Sequence, residues 1–522
     1  MTGLLEQLAE RVDSGRRRLV EHIVGQVDTD GTVRSRCGSR VLESALMLVL
    51  LRKENLHPDI QEKLTRYLRH APPSSVLDIA VIDAVAHGRS DQGRELVADY
   101  LDRFHHYTGA RKRLLLNTVM VLFGLVPPER DLDSQQIPCD GFATWTNLTL
   151  CAIKVLAEHA RGRPDSADHT HLVQQLSGGS VRQVWEGNVL AHLIALHAVS
   201  EFQPRSSVVG DHIRILTRIQ NPDGGMPFID SQDIYLTAVA GLALTESRLA
   251  RAHAVRMGHY IAAQQAADGA WGYAEKVLQT DTDSTAWCIE FLRALSPVAH
   301  RSTIDKAERY LTTMAGPDGG FPTYIRGHAP EPAMTAGAIT ALTPVWTQHA
   351  ELLHASADFL LDSQQPDGTF QRSWTLSASS TIGRVVHALD TLPSVIAPGL
   401  QPRIAHAIDL SRKYLEATRN SDGGWGHGGG DDSDVLSTAQ ALPVLTRFGR
   451  SDITHAAVTY LLERQQDNGG FTSIPDQVGP RPFVYDFPVL TDIMALHALN
   501  QWCKRPGEQR TPPPLEGRIN LR

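Results

Sequence analysis

The chain has 522 residues, a formal net charge of −8, 42% hydrophobic residues and 21% charged residues. This length and composition suffice for large apolar cores in two domains, and mild acidity without a basic stripe excludes nucleic acid as a partner. No stretch approaches the roughly 18 consecutive apolar residues of a membrane-spanning helix, so we expect no stable insertion into a membrane.

The N-terminus and the cysteines predict a cytoplasmic protein. Met1 leads into an amphipathic, charged segment, and no signal peptide is recognisable. The five cysteines are odd in number and scattered, without a C-x-x-C pair. They therefore indicate buried thiols in a reducing compartment.

The first 200 residues predict helices whose repeats are blurred. Residues 42–48, 111–125 and 148–160 are apolar helical segments. An acidic segment, E-R-D-L-D at 129–133, follows two prolines. A solvated loop explains it as well as a functional acidic motif does.

The C-terminal 300 residues contain a repeated turn phrase. Asp-Gly steps recur every 45 to 55 residues, with glutamine before most of them and an aromatic residue after, at positions 223, 268, 318, 367 and 422. Each turn is followed by Thr-Ala or its equivalent at the start of an apolar helix, and a second helix, such as 304–313 or 408–417, leads to the next turn. Such a period marks one repeated supersecondary unit. Two helices per unit without alternating strand patterns predict an all-α fold with an α/α barrel.

One repeat unit carries two acids at the start of its apolar helix. The segment D-T-D-S-T-A at 281–286 places Asp281 and Asp283 before an apolar and aromatic wall. Burial and like charge push one carboxyl group towards its neutral form, and a neutral acid in an apolar cavity can protonate a weak base such as an alkene. The alternative is a helix N-terminus, where Asp, Ser and Thr are favoured. At the position of Asp283 the other units have Tyr235, Ala333, Ser379 and Leu436, which favours the functional interpretation.

The repeated phrases resemble the QW motifs of the squalene–hopene and class II terpene cyclases, and D-T-D-S-T-A resembles the D-x-D-D-T-A acid motif of that family. Residues 184–188, 422–427, 434–439 and 481–486 resemble bacterial class II prenyl diphosphate cyclases. The resemblance covers most of the chain, although the first 200 residues match only loosely.

The resemblance implies two α/α barrel domains with the active cavity between them. A first helix, residues 1–19, would join the C-terminal barrel; residues 20–215 would form an inserted barrel and residues 216–504 the catalytic one. The proline-containing tail, 505–522, is expected to be disordered.

The resemblance also implies a protonation-initiated cyclisation. Protonated Asp283 would donate to the distal alkene of a linear prenyl diphosphate, and Asp281 would titrate with it and compensate the charge. Aromatic faces stabilise passing cations. The aromatic residues of the repeat turns, such as Trp271, are expected to be structural. The expected substrate-binding residues are Ser284, Trp287, Trp374, Phe483 and Tyr485.

The motif departs from the family at its last acid, where this chain has Ser284. Drimane-forming members often have D-x-D-T-T there, which favours farnesyl diphosphate and a drimane-type bicyclic diphosphate. The alternative is geranylgeranyl diphosphate and a labdane-type product. The D-D-x-x-D cluster of ionising terpene synthases is missing, because D-D-S-D at 431–434 has the wrong spacing. The diphosphate should therefore survive the reaction.

A diphosphate substrate would require Mg²⁺, which prefers carboxylates, waters and phosphate oxygens. We expect Glu186, an acid inside an otherwise apolar helix, as its ligand. The alternatives to a prenyl diphosphate cyclase are a squalene-type triterpene cyclase, the zinc-dependent β subunit of a protein prenyltransferase and a non-catalytic helical-repeat scaffold. Cys288 and Cys503 lack the neighbours of a zinc site. A homodimer is a further possibility.

Overall fold

The computed structural model describes residues 2–88, 109–127, 137–162, 166–177, 183–396, 398–479 and 483–504. These residues are mostly helical, which confirms the all-α prediction. The helices, in chain order, are α1 (Thr2–Val24), α2 (Val41–Glu54), α3 (Pro58–His70), α4 (Val76–His87), α5 (Gly109–Leu122), α6 (Thr144–Ala160), α7 (Ser166–Ser177), α8 (Val189–Phe202), α9 (Ser207–Thr217), α10 (Asp233–Leu244), α11 (Arg251–Ala263), α12 (Thr282–Leu295), α13 (Arg301–Met314), α14 (Pro332–Leu342), α15 (Ala350–Asp362), α16 (Ala378–Thr391), α17 (Gln401–Ala417), α18 (Val435–Phe448), α19 (Ser451–Arg464) and α20 (Pro488–Cys503).

The second half of the chain folds into two concentric rings of helices. The inner ring consists of α10, α12, α14, α16, α18 and α20; each packs on the next, and α20 packs back on α10. The helices α11, α13, α15, α17 and α19 lie outside the ring, and α1 joins them by packing on α20 and α19. The inner helices are apolar nearly all round because both their outer face and their neighbours are protein. The N-termini of all six point to one end of the ring.

The repeated turns hold the two rings together. In four units the glutamine side chain donates to the carbonyl group of the turn glycine, as Gln265 does to Gly269 at 2.8 Å. Gly269 has φ +90°, and a Cβ there would lie 2.8 Å from the carbonyl oxygen of Lys306 on α13, so only glycine fits. The following Trp271 is fully buried and donates its indole N–H to Ile261 on α11 at 2.7 Å. The repeated aromatic residue is thus a structural residue that packs between neighbouring helices.

The helices between α2 and α9 form a second group, in which α2, α8 and α6 pack side by side. It is tied to the rings by the antiparallel strands β1 (Ser39–Arg40) and β2 (Met226–Pro227) and by a bridge between Asn188 and Ile229. The expected domain limits at 19/20 and 215/216 fall inside α1 and α9, and the limits themselves stay predictions. The acidic segment 129–133 and the tail 505–522 lie outside the described residues. Within the described ranges, no helix is long and apolar enough to cross a membrane.

Candidate active site

A cavity of about 640 Å³ runs along the axis of the inner ring. Trp145 and Asn188, from the second group of helices, lie at the end where the inner helices begin, and Thr245, Arg447 and Lys504 lie at the opposite end. The wall near the helix N-termini is aromatic, and it comprises Trp145, Phe228, Tyr235, Tyr273, Trp287, Tyr324, Trp374 and Tyr485.

Asp281 caps helix α12. Its Oδ1 accepts the backbone N–H of Ser284 at 2.6 Å, and its Oδ2 accepts the Ser284 hydroxyl at 2.9 Å. Asp434 makes the same two bonds with Ser437 at the start of α18, each at 2.7 Å. Asp281 is therefore a helix cap of a type that the fold uses at least twice.

Asp283 lies one position past the start of α12 and faces the cavity. The equivalent residue of the second capped helix is Leu436, on α18. Since Asp281 and Asp434 do the same structural work, Asp283 is the acid that distinguishes the two units.

The guanidinium group of Arg384 lies beside Asp283. It forms a two-point ion pair with Glu290, with N–O distances of 2.6 and 3.3 Å, and stacks 3.8 Å above the ring centre of Trp287. Gly337 makes room for it, because a Cβ there would lie 3.1 Å from the guanidinium nitrogen. One face of α12 carries Asp283, Trp287 and Glu290. The contacts with Trp287 and Glu290 therefore fix the Arg384 guanidinium group near Asp283.

Burial dominates the proton affinity of both acids. It raises the pKa of Asp281 to about 7; the hydrogen bond from the Ser284 N–H lowers this pKa, and the negative charge of Asp283 raises it further. Burial also raises the pKa of Asp283, to about 6, while the Arg384 cation opposes that shift. Asp283 is thus a carboxyl group that can carry a proton near neutral pH and that a cation keeps relatively acidic.

Four of the five expected substrate-binding residues line this cavity together with the two acids: Ser284, Trp287, Trp374 and Tyr485. Trp374 is fixed by a 3.0 Å bond from its indole N–H to Thr323 and meets Tyr324 edge to face. The hydroxyl of Ser284 donates to the carboxylate of Asp281 at 2.9 Å.

Phe483 does not join them. It is buried outside the cavity lining, under the guanidinium group of Arg40 at 5.3 Å. Tyr485, two residues further along the chain, lines the cavity, and its backbone N–H is held by the carbonyl group of Gln477 at 2.9 Å.

Glu186 does not fit a metal site. It was expected inside an apolar helix, but it lies in a turn before α8, with φ +47°. Its carboxylate accepts the backbone N–H groups of Leu278 and Gln279 at 2.8 and 3.3 Å, which ties the second group of helices to the rings. Among the residues that the structure describes, no three His, Cys, Asp or Glu side chains are grouped to hold a metal ion.

Sequence reasoning missed several residues of the cavity. Arg384 gave a signal, as a cation in the apolar segment of α16. Asp476 and Gln440 gave none, because Asp476 lies in an irregular segment and Gln440 is an unremarkable polar residue of α18.

A smaller cavity of about 180 Å³ adjoins the first and shares Trp145, Phe228 and Trp374 with it. Arg111 and Lys112 of α5 lie in its wall. The two cavities therefore share an aromatic wall. The acid Asp283 lies in the larger cavity, and the smaller one, whose lining also includes Glu331, holds Arg111 and Lys112 and is called the cationic end below.

Comparison with known proteins gives concordant results. The family model described as "Prenyltransferase alpha-alpha toroid domain" matches residues 188–371 and 279–477. The chain is 38% identical to a drimenyl diphosphate synthase from Streptomyces showdoensis and 36% identical to one from Streptantibioticus cattleyicolor, with 93% of each chain covered in both cases. Its fold resembles that of the ent-copalyl diphosphate synthase from Streptomyces platensis, with a TM-score of 0.58, 15% identity, and coverage of 95% of this chain and 100% of that one.

Proposed function

This chain belongs to the class II terpene cyclases, alongside the drimenyl diphosphate synthases, and we propose that it converts farnesyl diphosphate to drimenyl diphosphate. The observation that carries the proposal is Asp283, the acid in the first turn of α12 that faces an aromatic cavity instead of serving as the cap. The reaction is an isomerisation, since a proton is added at one end of the substrate and another is lost near the other end.

The distal alkene of the substrate would lie against Asp283. Proton transfer from its carboxyl group gives a tertiary cation, and the next two double bonds attack in turn to close two fused rings. Trp287, Trp374 and Tyr485 offer aromatic faces to the cation and exclude the water that would quench it. The Arg384 cation balances the carboxylate that Asp283 becomes.

The diphosphate group would lie at the cationic end, near Arg111 and Lys112 of α5. This placement puts the hydrocarbon chain in the aromatic part of the cavity and the charged group outside it. It also keeps the diphosphate away from Asp283, so the acid protonates carbon and not phosphate.

The substrate length is tested by competition. We expect equal amounts of farnesyl and geranylgeranyl diphosphate to be consumed with at least about tenfold preference for the C15 substrate. Each additional CH₂ group contributes roughly 0.8 kcal/mol when it is buried, so a pocket shaped for one length discriminates clearly. Products are dephosphorylated and identified by mass spectrometry. Preference for the C20 substrate would overturn the drimane assignment and leave the acid mechanism standing, whereas no bicyclic product from either would overturn the mechanism.

Magnesium is proposed to enter with the substrate, held by diphosphate oxygens and water. We expect EDTA to lower the activity and added Mg²⁺ to restore it. The Glu186→Gln variant should need the same Mg²⁺ concentration for half-maximal activity as the wild type, because that carboxylate is occupied by backbone N–H groups. Undiminished turnover in metal-free buffer would contradict this proposal and favour a squalene-type substrate.

The cytoplasmic location and the homodimer stay predictions. Size-exclusion chromatography with light scattering measures the second directly.

A further inference from the structure

A second buried carboxylate lies in the wall of the main cavity. Asp476 is 1% exposed and belongs to the irregular segment between α19 and α20. Its Oδ1 accepts the backbone N–H groups of Leu376 and Ser377 at 2.8 and 2.6 Å. Its Oδ2 accepts the side-chain amide of Gln440 at 3.1 Å. Asp476 is thus held in one orientation by three N–H donors.

The position of Asp476 along the cavity is specific. Asp476 and Gln477 line the main cavity with Asp283, whereas Val478 and Gly479 line the smaller cavity with Arg111 and Lys112. The segment therefore crosses the junction between the acid and the cationic end.

This order matches the order of events along the substrate. The acid meets the alkene farthest from the diphosphate, and the last cation forms on the third carbon counted from the diphosphate. The base that ends the reaction must therefore lie between the acid and the diphosphate site.

We propose that Asp476 is the terminal base of the cyclisation. Its Oδ2 removes a proton from a carbon next to the final cation; the electron pair of that C–H bond forms the ring alkene, and the proton stays on Oδ2. Gln440 is a positioning residue that directs this oxygen. The inference rests on the proposed function, because a terminal base is needed only if Asp283 starts a cyclisation.

A purely structural role is the competing explanation, since Asp476 binds the backbone N–H groups of Leu376 and Ser377, which immediately precede α16, and so anchors the start of that helix. Asp476→Asn separates the two. The amide oxygen can accept the same two backbone N–H groups, and the amide nitrogen can donate to Oε1 of Gln440, which is buried without a hydrogen-bond partner. The variant should therefore keep the hydrogen bonds to the backbone and lose the carboxylate oxygen that accepts the proton.

The experiment follows products from farnesyl diphosphate made by wild type, Asp476→Asn and the control Asp434→Asn. The control replaces a helix-capping carboxylate that lies outside both cavity linings. We expect Asp476→Asn to raise the combined share of hydroxylated bicyclic product and of other alkene isomers at least tenfold, and Asp434→Asn to leave the product ratio unchanged. An unchanged ratio in both variants, with rates within twofold of wild type, would overturn the inference.

Two further readouts keep the outcomes distinct. If Asp476→Asn does not fold, Gln440→Met serves instead, because it removes the donor to Oδ2 and leaves the bonds from Leu376 and Ser377 to Oδ1 in place. It should shift the product ratio in the same direction. A product ratio equal to that of the wild type would count against Asp476 as the base. If the wild type itself yields no bicyclic diphosphate, the proposed function fails, not only the assignment of Asp476.

Discussion

Asp283→Asn is expected to abolish cyclisation while leaving the fold intact. The amide has the same shape as the carboxyl group but cannot donate a proton to an alkene, so the rate should fall by at least about 1,000-fold, equivalent to about 4 kcal/mol of transition-state stabilisation. The side chain faces the cavity, and the cap of α12 is Asp281, so the circular dichroism spectrum and the urea midpoint should stay close to those of the wild type. Product formation is measured after dephosphorylation.

The two capping acids provide the matched controls. Asp281→Asn and Asp434→Asn make the same change at the starts of α12 and α18: the amide oxygen can still accept the backbone N–H of the serine, and the amide nitrogen cannot accept the serine hydroxyl. The two variants should therefore lower the stability by similar, small amounts. Only Asp281→Asn should also slow turnover, and less completely than Asp283→Asn, because Asp281 contributes charge and not the transferred proton. Bicyclic product from Asp283→Asn at a rate within about tenfold of wild type would show that another group is the acid.

Arg384→Met is expected to produce the largest loss of stability and a shifted pH profile. It leaves the Glu290 carboxylate, whose side chain is only 10% exposed, without its partner, which costs about 3 to 5 kcal/mol in the free energy of unfolding. The Arg384 cation also lowers the pKa of Asp283, so its removal raises that pKa. The acid then stays protonated to higher pH but is weaker, and we expect the falling limb of kcat to move up by about one pH unit while the plateau drops about tenfold.

The double variant Arg384→Met/Glu290→Gln separates the two effects. It removes the unpaired charge and should recover most of the stability measured in urea. The pH limb should stay shifted, because the cation exerts a larger influence on Asp283 than Glu290 does. A limb at the wild-type position in both variants would show that Arg384 does not tune the acid.

The regular order of turns and helices in the repeats made most of the C-terminal barrel predictable from the sequence. The Asp-Gly turns and the Thr-Ala helix starts have the period of one two-helix unit, and the helices predicted at 304–313 and 408–417 lie within α13 and α17. The pair Asp281 and Asp283 was also visible, but its two roles were not. The position of Asp281 carries Asp233, Glu331, Ser377 or Asp434 in the other units. A polar residue therefore recurs at the start of the inner helices, and Asp434 uses it as a side-chain cap in the same way as Asp281, whereas no other unit has an acid at the position of Asp283.

What the sequence could not predict depends on long-range packing. Asp476 becomes part of the cavity because the irregular segment that contains it lies against the start of α16. No local periodicity in the sequence encodes such a long-range contact. Glu186 was placed in a helix because its neighbours are apolar. The following Gly187, with φ +65°, marks a turn instead, and the carboxylate binds backbone N–H groups that lie about 90 residues away in sequence.

The central claim, that Asp283 protonates the distal alkene and the diphosphate is retained, is tested most directly by running the reaction in D₂O. We expect wild-type enzyme and farnesyl diphosphate to give a bicyclic product that still carries its diphosphate and has one deuterium, on the ring CH₂ next to the carbon that bears two methyl groups. Asp283→Asn should give no labelled product. Release of the diphosphate, or a wild-type product without deuterium at that carbon, would contradict the account.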